Sequence, residues 1–251
     1  MAYQAMPLPR LPFRDRMRRI AERRLGTRDL IEVNSPFLPV VATEGNTSTP
    51  NLHDEIEEYG TSTARVTTTL GSIIRFAGNN SGPAVLQGRG TGAGSIKGNP
   101  IVNMQSSKVL MGARVRTPSP GTFVTDTMIQ FGLSDISGSS KNMGLGCRGA
   151  AAGGTTHWSM WLPNGGAFTV AQSIASSKAF TSTQEFVDAY FYLNSSIRFS
   201  VDGEAEVTAP FTQSDLVNAA GTWKIQVNRL GGAGTDIMEV DDYVVYVAPV
   251  A

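Results

Sequence analysis

Cysteine and histidine are almost absent from this 251-residue chain, which holds one cysteine, Cys147, and two histidines, His53 and His157. A single cysteine cannot form an internal disulfide, so the fold has to be stable without covalent cross-links. The two histidines are too far apart for the ligand spacing of a zinc site, and neither lies in a motif that activates a nucleophile. We therefore expect no catalytic residue and no zinc site from these two residue types, whereas a site of one histidine and carboxylates for a hard cation stays open.

Long hydrophobic runs and net charge are also missing. No apolar run approaches the roughly 18–20 residues that cross a bilayer, so the sequence predicts no membrane span. The net charge is zero, but residues 1–30 hold eight arginines against Asp15, Glu22 and Asp29, which gives 8 − 3 = +5. The other 13 basic and 18 acidic residues give 13 − 18 = −5. A basic arm on a mildly acidic body indicates an attachment segment.

The arm contains one predicted amphipathic helix, which begins near Pro12 and ends before Gly26. A helix this short is marginal alone in water, so it needs a surface to pack against. Docking on an acidic protein surface suits the mixed apolar and arginine pattern best, and a disordered solubilising tail is the alternative. We expect no direct contact with nucleic acid, because aromatic residues are not interleaved with the arginines. The predicted partner-binding residues are Phe13, Arg14, Met17, Arg18, Ile20, Arg24 and Leu25.

From about residue 61 the pattern changes to short strands separated by Gly- and Ser-rich turns. Near absence of helical periodicity excludes a parallel α/β sheet and favours an antiparallel sandwich or jelly roll. The sequence therefore predicts an arm and linker over residues 1–60 and an all-β sandwich over residues 61–251.

The C-terminal strands carry a family resemblance. The strand Ser196–Val201 alternates apolar and polar residues and runs into Asp202-Gly203, a tight turn. Trp223, Ile225 and Val227 alternate with polar residues in the next strand, and a long apolar strand over residues 236–248 contains Asp241-Asp242. This order resembles the end of a concanavalin-A-like (laminin-G-like) jelly-roll domain, as found in structural proteins of tailed bacteriophages. The resemblance covers roughly residues 60–248 and implies the concanavalin-A-like fold for them, preceded by the basic helical or extended N-terminal arm.

Three carboxylate or glycine patterns have a chemical interpretation. Enzymes of this fold that cleave β-glucans carry Glu-x-Asp-x-x-Glu, whereas here Glu239 and Asp241 are followed by Val244 at the last position. We therefore expect a bulge or a turn contact at Asp241 and Asp242 rather than catalysis. The Gly-x-Gly-x-x-Gly run at 144–149 precedes a strand instead of a helix, which excludes a dinucleotide site. A structural calcium ion stays open, with Asp202, Glu204, Asp241 and Asp242 as the carboxylates.

The resemblance implies a non-enzymatic virion structural protein, a capsid decoration or head-fibre-like module assembled in the host cytoplasm. Its partners would be the major capsid protein or another virion protein, bound through the arm. A dimer or trimer of the chain is expected as well. The alternative is a carbohydrate-binding module of a tail fibre or receptor-binding protein, which would contact a host surface glycan through Trp161 and Tyr192.

Overall fold

The computed structural model describes residues 12–33, 56–59, 65–68, 73–79, 84–88, 102–117, 127–135, 142–148, 157–161, 173–179, 185–216, 220–229 and 235–249. These residues form two antiparallel sheets and one α-helix, α1 (Phe13–Leu25), which confirms the predicted all-β jelly-roll sandwich. No helix in these ranges has the length and apolar character needed to cross a membrane.

Each sheet contains eight of the described strands. Sheet A has the spatial order β14 (Val207–Thr212), β13 (Ser196–Val201), β12 (Val187–Asn194), β7 (Val109–Arg116), β16 (Thr235–Val247), β4 (Ile74–Asn79) and β3 (Arg65–Thr68), with β1 (Ile31–Val33) paired to β16. Sheet B has the order β11 (Ser173–Ala179), β10 (His157–Trp161), β9 (Asn142–Arg148), β8 (Thr127–Asp135), β15 (Ala220–Arg229), β5 (Ala84–Gly88) and β2 (Ile56–Tyr59), with β6 (Val102–Asn103) paired to β15. Strands β1 and β2 come from the segment predicted as arm and linker, so the described parts of that segment contribute to both sheets.

The core lies between the two sheets, because alternate residues of each strand point inward. Phe131 of β8 meets Phe191 of β12 with ring centroids 6.2 Å apart, and Trp223 of β15 meets Tyr243 of β16 at 5.0 Å. Both pairs therefore join sheet B to sheet A, and each falls in the range of separations that aromatic pairs favour.

A second apolar cluster lies on the outer face of sheet A, where α1 packs across β16, β7 and β12. Phe13, Met17, Ala21 and Leu25 recur at every fourth position and are all buried. They cover the outward-facing sheet residues Leu110, Tyr192, Val244 and Tyr246.

Glycine residues determine where α1 ends and how closely it approaches the sheet. The helix ends at Gly26, which has φ +75° and donates its N–H to the Glu22 carbonyl. Gly112 of β7 lies beneath the helix, where a Cβ would come within 2.8 Å of the Met17 Sδ atom. The predicted position and amphipathic pattern of the helix are thus confirmed. Its apolar face, however, packs on sheet A of the same chain rather than on another protein.

Candidate functional site

Ion pairs hold α1 to sheet A. Arg14 donates to both carboxylate oxygens of Asp242, at 2.8 and 2.9 Å, and Arg16 pairs with Asp188. At the other end of the helix, Arg24 donates to Glu206 at 2.9 Å. These arginines are therefore engaged within the chain. Of the remaining residues predicted to bind a partner, Arg18 pairs with Glu22 on the helix and Ile20 packs against the second cluster.

Charges beyond the helix on the same face of sheet A are also paired with each other. Glu239 is 5% exposed and lies between Arg75, at 3.3 Å, and Arg116, at 2.6 Å. Asp241 pairs with Arg114 at 3.3 Å, and the register of β16 with β7 shifts between Val240 and Asp242. The predicted bulge is confirmed, and these carboxylates hold strands together instead of facing an open cleft.

Tyr192 does not present its ring to solvent, contrary to the prediction that it faces a glycan. Its side chain is 4% exposed beneath α1, Arg24 lies 5.8 Å over the ring, and its hydroxyl donates to Glu206 at 3.2 Å. Tyr190 donates to the same carboxylate at 2.9 Å. Burial, followed by the Glu206 charge, raises the pKa of Tyr192. These two tyrosines therefore help to fix the C-terminal end of α1.

The carboxylates considered for calcium are engaged with side chains of the protein. Asp202 pairs with Lys178, and Glu204 accepts a hydrogen bond from the Ser177 hydroxyl at 2.6 Å. Within the described ranges, no three His, Cys, Asp or Glu side chains come together as a metal site. The described structure thus does not assemble the four carboxylates around one cation.

The outer face of sheet B is different, because no described helix packs on it. Trp223, Ile225 and Val227 of β15 belong to the inter-sheet core, so Lys224 and Gln226 lie on the outer face of the same strand. Gln226 is 4% exposed. Ser159, whose core neighbours Trp158 and Met160 place it on the same outer face, is fully buried. The Gln226 and Ser159 side chains in the middle of this face are therefore shielded from solvent.

Lys224 is a charged residue on this face, and the register places Glu57 of β2 in the same row, two strands away across Gln87 of β5. Lys224 is only partly exposed, and burial lowers the pKa of its amine. Among the described residues no carboxylate pairs with it, in contrast to the arginines of sheet A. A desolvated lysine without a counter-ion favours either binding of an anion or loss of its proton at lower pH than an ordinary lysine.

The strand register places further residues in line with Lys224. Lys224 pairs with Gly132, Gly132 with Gly144, and Gly144 with Trp161. Paired residues of neighbouring strands share a face, so this row crosses the outer face of sheet B over three strand spacings, about 14 Å. At Gly132 a Cβ would come within 1.9 Å of the Met143 carbonyl oxygen. Glycine is therefore required at this position, and the row between Trp161 and Lys224 carries no side chain.

The sequence predicted that Trp161 faces a glycan but did not single out Lys224 or Gln226 as site residues. The Trp161 and Cys147 side chains fall outside the described residues, as does His53. The alternation of Trp223, Ile225 and Val227 with polar residues was the available signal, and by itself it indicates only a strand with one wet face.

No family model matches the chain, and no curated protein matches it. Solved structures do match in shape. A family 7 alginate lyase (A1-II') in complex with product aligns with a TM-score of 0.53 and 11% identity, over 76% of this chain and 85% of that one. The alginate lyase AlyC3 in complex with dimannuronate aligns with a TM-score of 0.52 and 9% identity, over 74% and 78%. An alginate lyase from Pseudomonas aeruginosa has a TM-score of 0.49 and 14% identity, over 72% and 84%.

These comparisons support the concanavalin-A-like jelly-roll fold and require a correction. The expectation of a non-enzymatic virion structural protein is contradicted, because these structural neighbours are enzymes that act on a polysaccharide. The alignments with TM-scores of 0.53 and 0.52 show a shared fold, and at identities of 11% and 9% they leave the activity of this chain to its own residues. The virion location, the capsid partner and the homo-oligomer stay predictions.

Proposed function

We propose that this chain binds an acidic polysaccharide across the outer face of sheet B and cleaves it by β-elimination. The observation that carries the proposal is Lys224, a partly buried amine with a lowered pKa and no described counter-ion. In its charged form it attracts the carboxylate of a uronate sugar, and in its neutral form it is a general base. The solved structures of similar shape act on alginate, which supports a uronate polymer as the substrate class.

The elimination step balances with Lys224 alone. The neutral amine removes the proton on the carbon next to the sugar carboxylate, and the electrons of that C–H bond form a C=C double bond as the adjacent glycosidic C–O bond breaks. The ammonium of Lys224 then gives the proton to the leaving oxygen, which restores the amine. Gln226 is the next outer-face residue of β15.

The glycine row fits a sugar chain lying across the strands. Gly132 and Gly144 leave the backbone of β8 and β9 without side chains between the positions of Trp161 and Lys224. Flat aromatic rings stack on sugar rings, so a tryptophan at one end of the row and a cation at the other would hold a chain of acidic sugars. The span of about 14 Å is long enough for more than one sugar unit.

The test measures the unsaturated uronate product by its ultraviolet absorbance, with alginate, polymannuronate and polyguluronate as substrates. We expect wild-type protein to form product and Lys224→Met to lose about 10²–10⁴-fold in rate, the usual effect of removing a general base. Lys108→Met is the control, because Lys108 is an exposed lysine immediately before β7 in the other sheet. The two variants remove the same charge, so only the first should lose activity.

Two results separate elimination from binding alone. Formation of product by Lys224→Met at the wild-type rate would exclude Lys224 as the base. Polymer binding that weakens in Trp161→Ala, with no product from any variant or from wild type, would instead support a carbohydrate-binding module. The row of Gly132 and Gly144 is as consistent with a carbohydrate-binding module as with a lyase, whereas the lowered pKa of Lys224 favours the lyase.

A further inference from the structure

The arginines of α1 and the loop that follows it fall into two groups. Four of them, Arg14, Arg16, Arg18 and Arg24, pair with carboxylates of the chain. The side chains of Arg19, Arg23 and Arg28 form no ion pair or hydrogen bond with any described residue. These three line one open cleft of about 470 Å³ together with Glu22, Gly26 and Thr27.

The shape of the helix end brings the three guanidinium groups together. Gly26 has φ +75°, which reverses the chain direction so that Arg28 returns towards the last turns of α1. The Thr27 hydroxyl accepts a hydrogen bond from the Asp29 N–H at 3.1 Å, which holds the loop after the turn. Arg19 and Arg23 are four residues apart and therefore lie on the same helix face.

The charge of this cleft is unbalanced. Three arginines and Glu22 give 3 − 1 = +2, and Glu22 already accepts a hydrogen bond from Arg18 at 3.3 Å. Cations near a helix C-terminus stabilise its dipole, but that effect is confined to the last turn. Arg19 precedes that turn and Arg28 follows the helix, so the dipole does not account for the convergence of all three.

We propose that this cleft, defined by Arg19, Arg23 and Arg28, is a second binding site for the acidic polysaccharide, separate from the cleavage site. Guanidinium groups bind carboxylates through two parallel hydrogen bonds, and neighbouring sugars of a uronate chain present one carboxylate each. The cleft lies on the side where α1 covers sheet A, whereas Lys224 lies on the outer face of sheet B. A polymer held here would raise the local concentration of cleavable chain.

The identity of the anion rests on the proposed function, and the experiment keeps the two questions apart. Polymannuronate binding is measured by calorimetry on full-length protein carrying Lys224→Met, so that the polymer stays intact. The double variant Arg19→Gln/Arg23→Gln is compared with Lys108→Gln/Arg198→Gln, which removes the same charge outside the cleft, at the exposed Lys108 and the half-buried Arg198. We expect the first pair to weaken binding about 10-fold and the second less than about two-fold.

Each other result overturns the proposal. Equal weakening by both pairs means non-specific attraction, and unchanged binding means that the cleft does not hold the polymer. A lower melting temperature with unchanged affinity assigns the arginines to helix stability. If the protein binds a DNA oligonucleotide more tightly than polymannuronate and loses that binding in Arg19→Gln/Arg23→Gln, this result assigns the cleft to a phosphate polymer. Cleavage of short oligomannuronates by the arginine variants is measured separately, and its rate should match wild type. If no protein cleaves these substrates, the lyase proposal fails independently of the binding result.

Discussion

The contact between α1 and sheet A gives the most direct test of the structure, through the substitution Met17→Ala. Met17 is 2% exposed, and its sulfur lies over Gly112 at the centre of the contact. The substitution removes the thioether arm from a closed apolar cluster and leaves a cavity between helix and sheet. Buried Met→Ala changes cost about 2–5 kcal/mol, the larger values applying where neighbours cannot move into the space.

The lower part of that range applies here, because α1 packs on an outer face and can settle towards Gly112. We therefore expect the free energy of unfolding to fall by about 2–3 kcal/mol. For a protein of this size each kcal/mol corresponds to about 2–4 °C in melting temperature, so a decrease of about 4–12 °C is expected. Arg18→Ala is the control, since Arg18 is the neighbouring exposed residue and forms only a surface pair with Glu22.

Chemical denaturation followed by circular dichroism measures the difference, and hydrogen exchange of the α1 amides shows whether the helix detaches before the sandwich unfolds. A Met17→Ala protein as stable as Arg18→Ala, with unchanged exchange in α1, would show that the helix does not pack on sheet A. The same structure predicts that deletion of residues 1–35 exposes Leu110, Val244 and Tyr246 as an apolar patch that binds a hydrophobic dye. A truncated protein that stays fully stable and binds no dye would contradict the contact as well.

Four further predictions use other contacts. Gly112→Val should displace Met17 and destabilise α1, seen as faster hydrogen exchange in the helix while the sheet amides keep their protection. Glu239→Gln should lower the free energy of unfolding by about 2 kcal/mol, because it weakens the charged hydrogen bond from Arg116 and the ion pair with Arg75, and urea denaturation measures the change. Burial raises the pKa of Tyr190 above its ordinary value, so stability should fall as the pH rises past about 10, and less so in Tyr190→Phe. Burial lowers the pKa of Lys224, so Lys224→Met should be more stable than wild type at neutral pH, and this gain should shrink towards pH 10.5 as the unfolded-state lysine loses its proton.

The fold was predictable because its signals are local. The helix lies between Pro12 and Gly26, and its buried face consists of Phe13, Met17, Ala21 and Leu25. What the helix packs against was not predicted, although a signal exists. Strands β7 and β16 carry apolar residues on both faces, as Leu110 beside Met111 and Val244 beside Val245 show. Strands covered on both sides have this pattern, so it indicates that something packs on the outer face of sheet A.

The candidate site was less predictable, because it depends on which strands are neighbours. Lys224, Gly132, Gly144 and Trp161 come from four strands separated by up to 92 positions in the chain, and only the register aligns them. The periodicity of each strand tells which residues share a face but not which strands lie side by side. Lys224 therefore looked like one ordinary residue on a wet face, and its burial became apparent only in the assembled sheet.

The charged residues on the outer faces of the two sheets differ in their pairing, and this difference is the reason for placing the proposed site on sheet B. On sheet A the described carboxylates lie against arginines, as Glu239 and Asp242 do, and such pairs fix the helix and the strands. On sheet B, Lys224 is desolvated with no described counter-ion, which lowers stability at neutral pH without any structural gain on the described face. Residues that lower stability in this way are characteristic of sites that act on a ligand. A ligand carboxylate would supply the missing charge, which is why an acidic sugar chain fits this face of the sandwich.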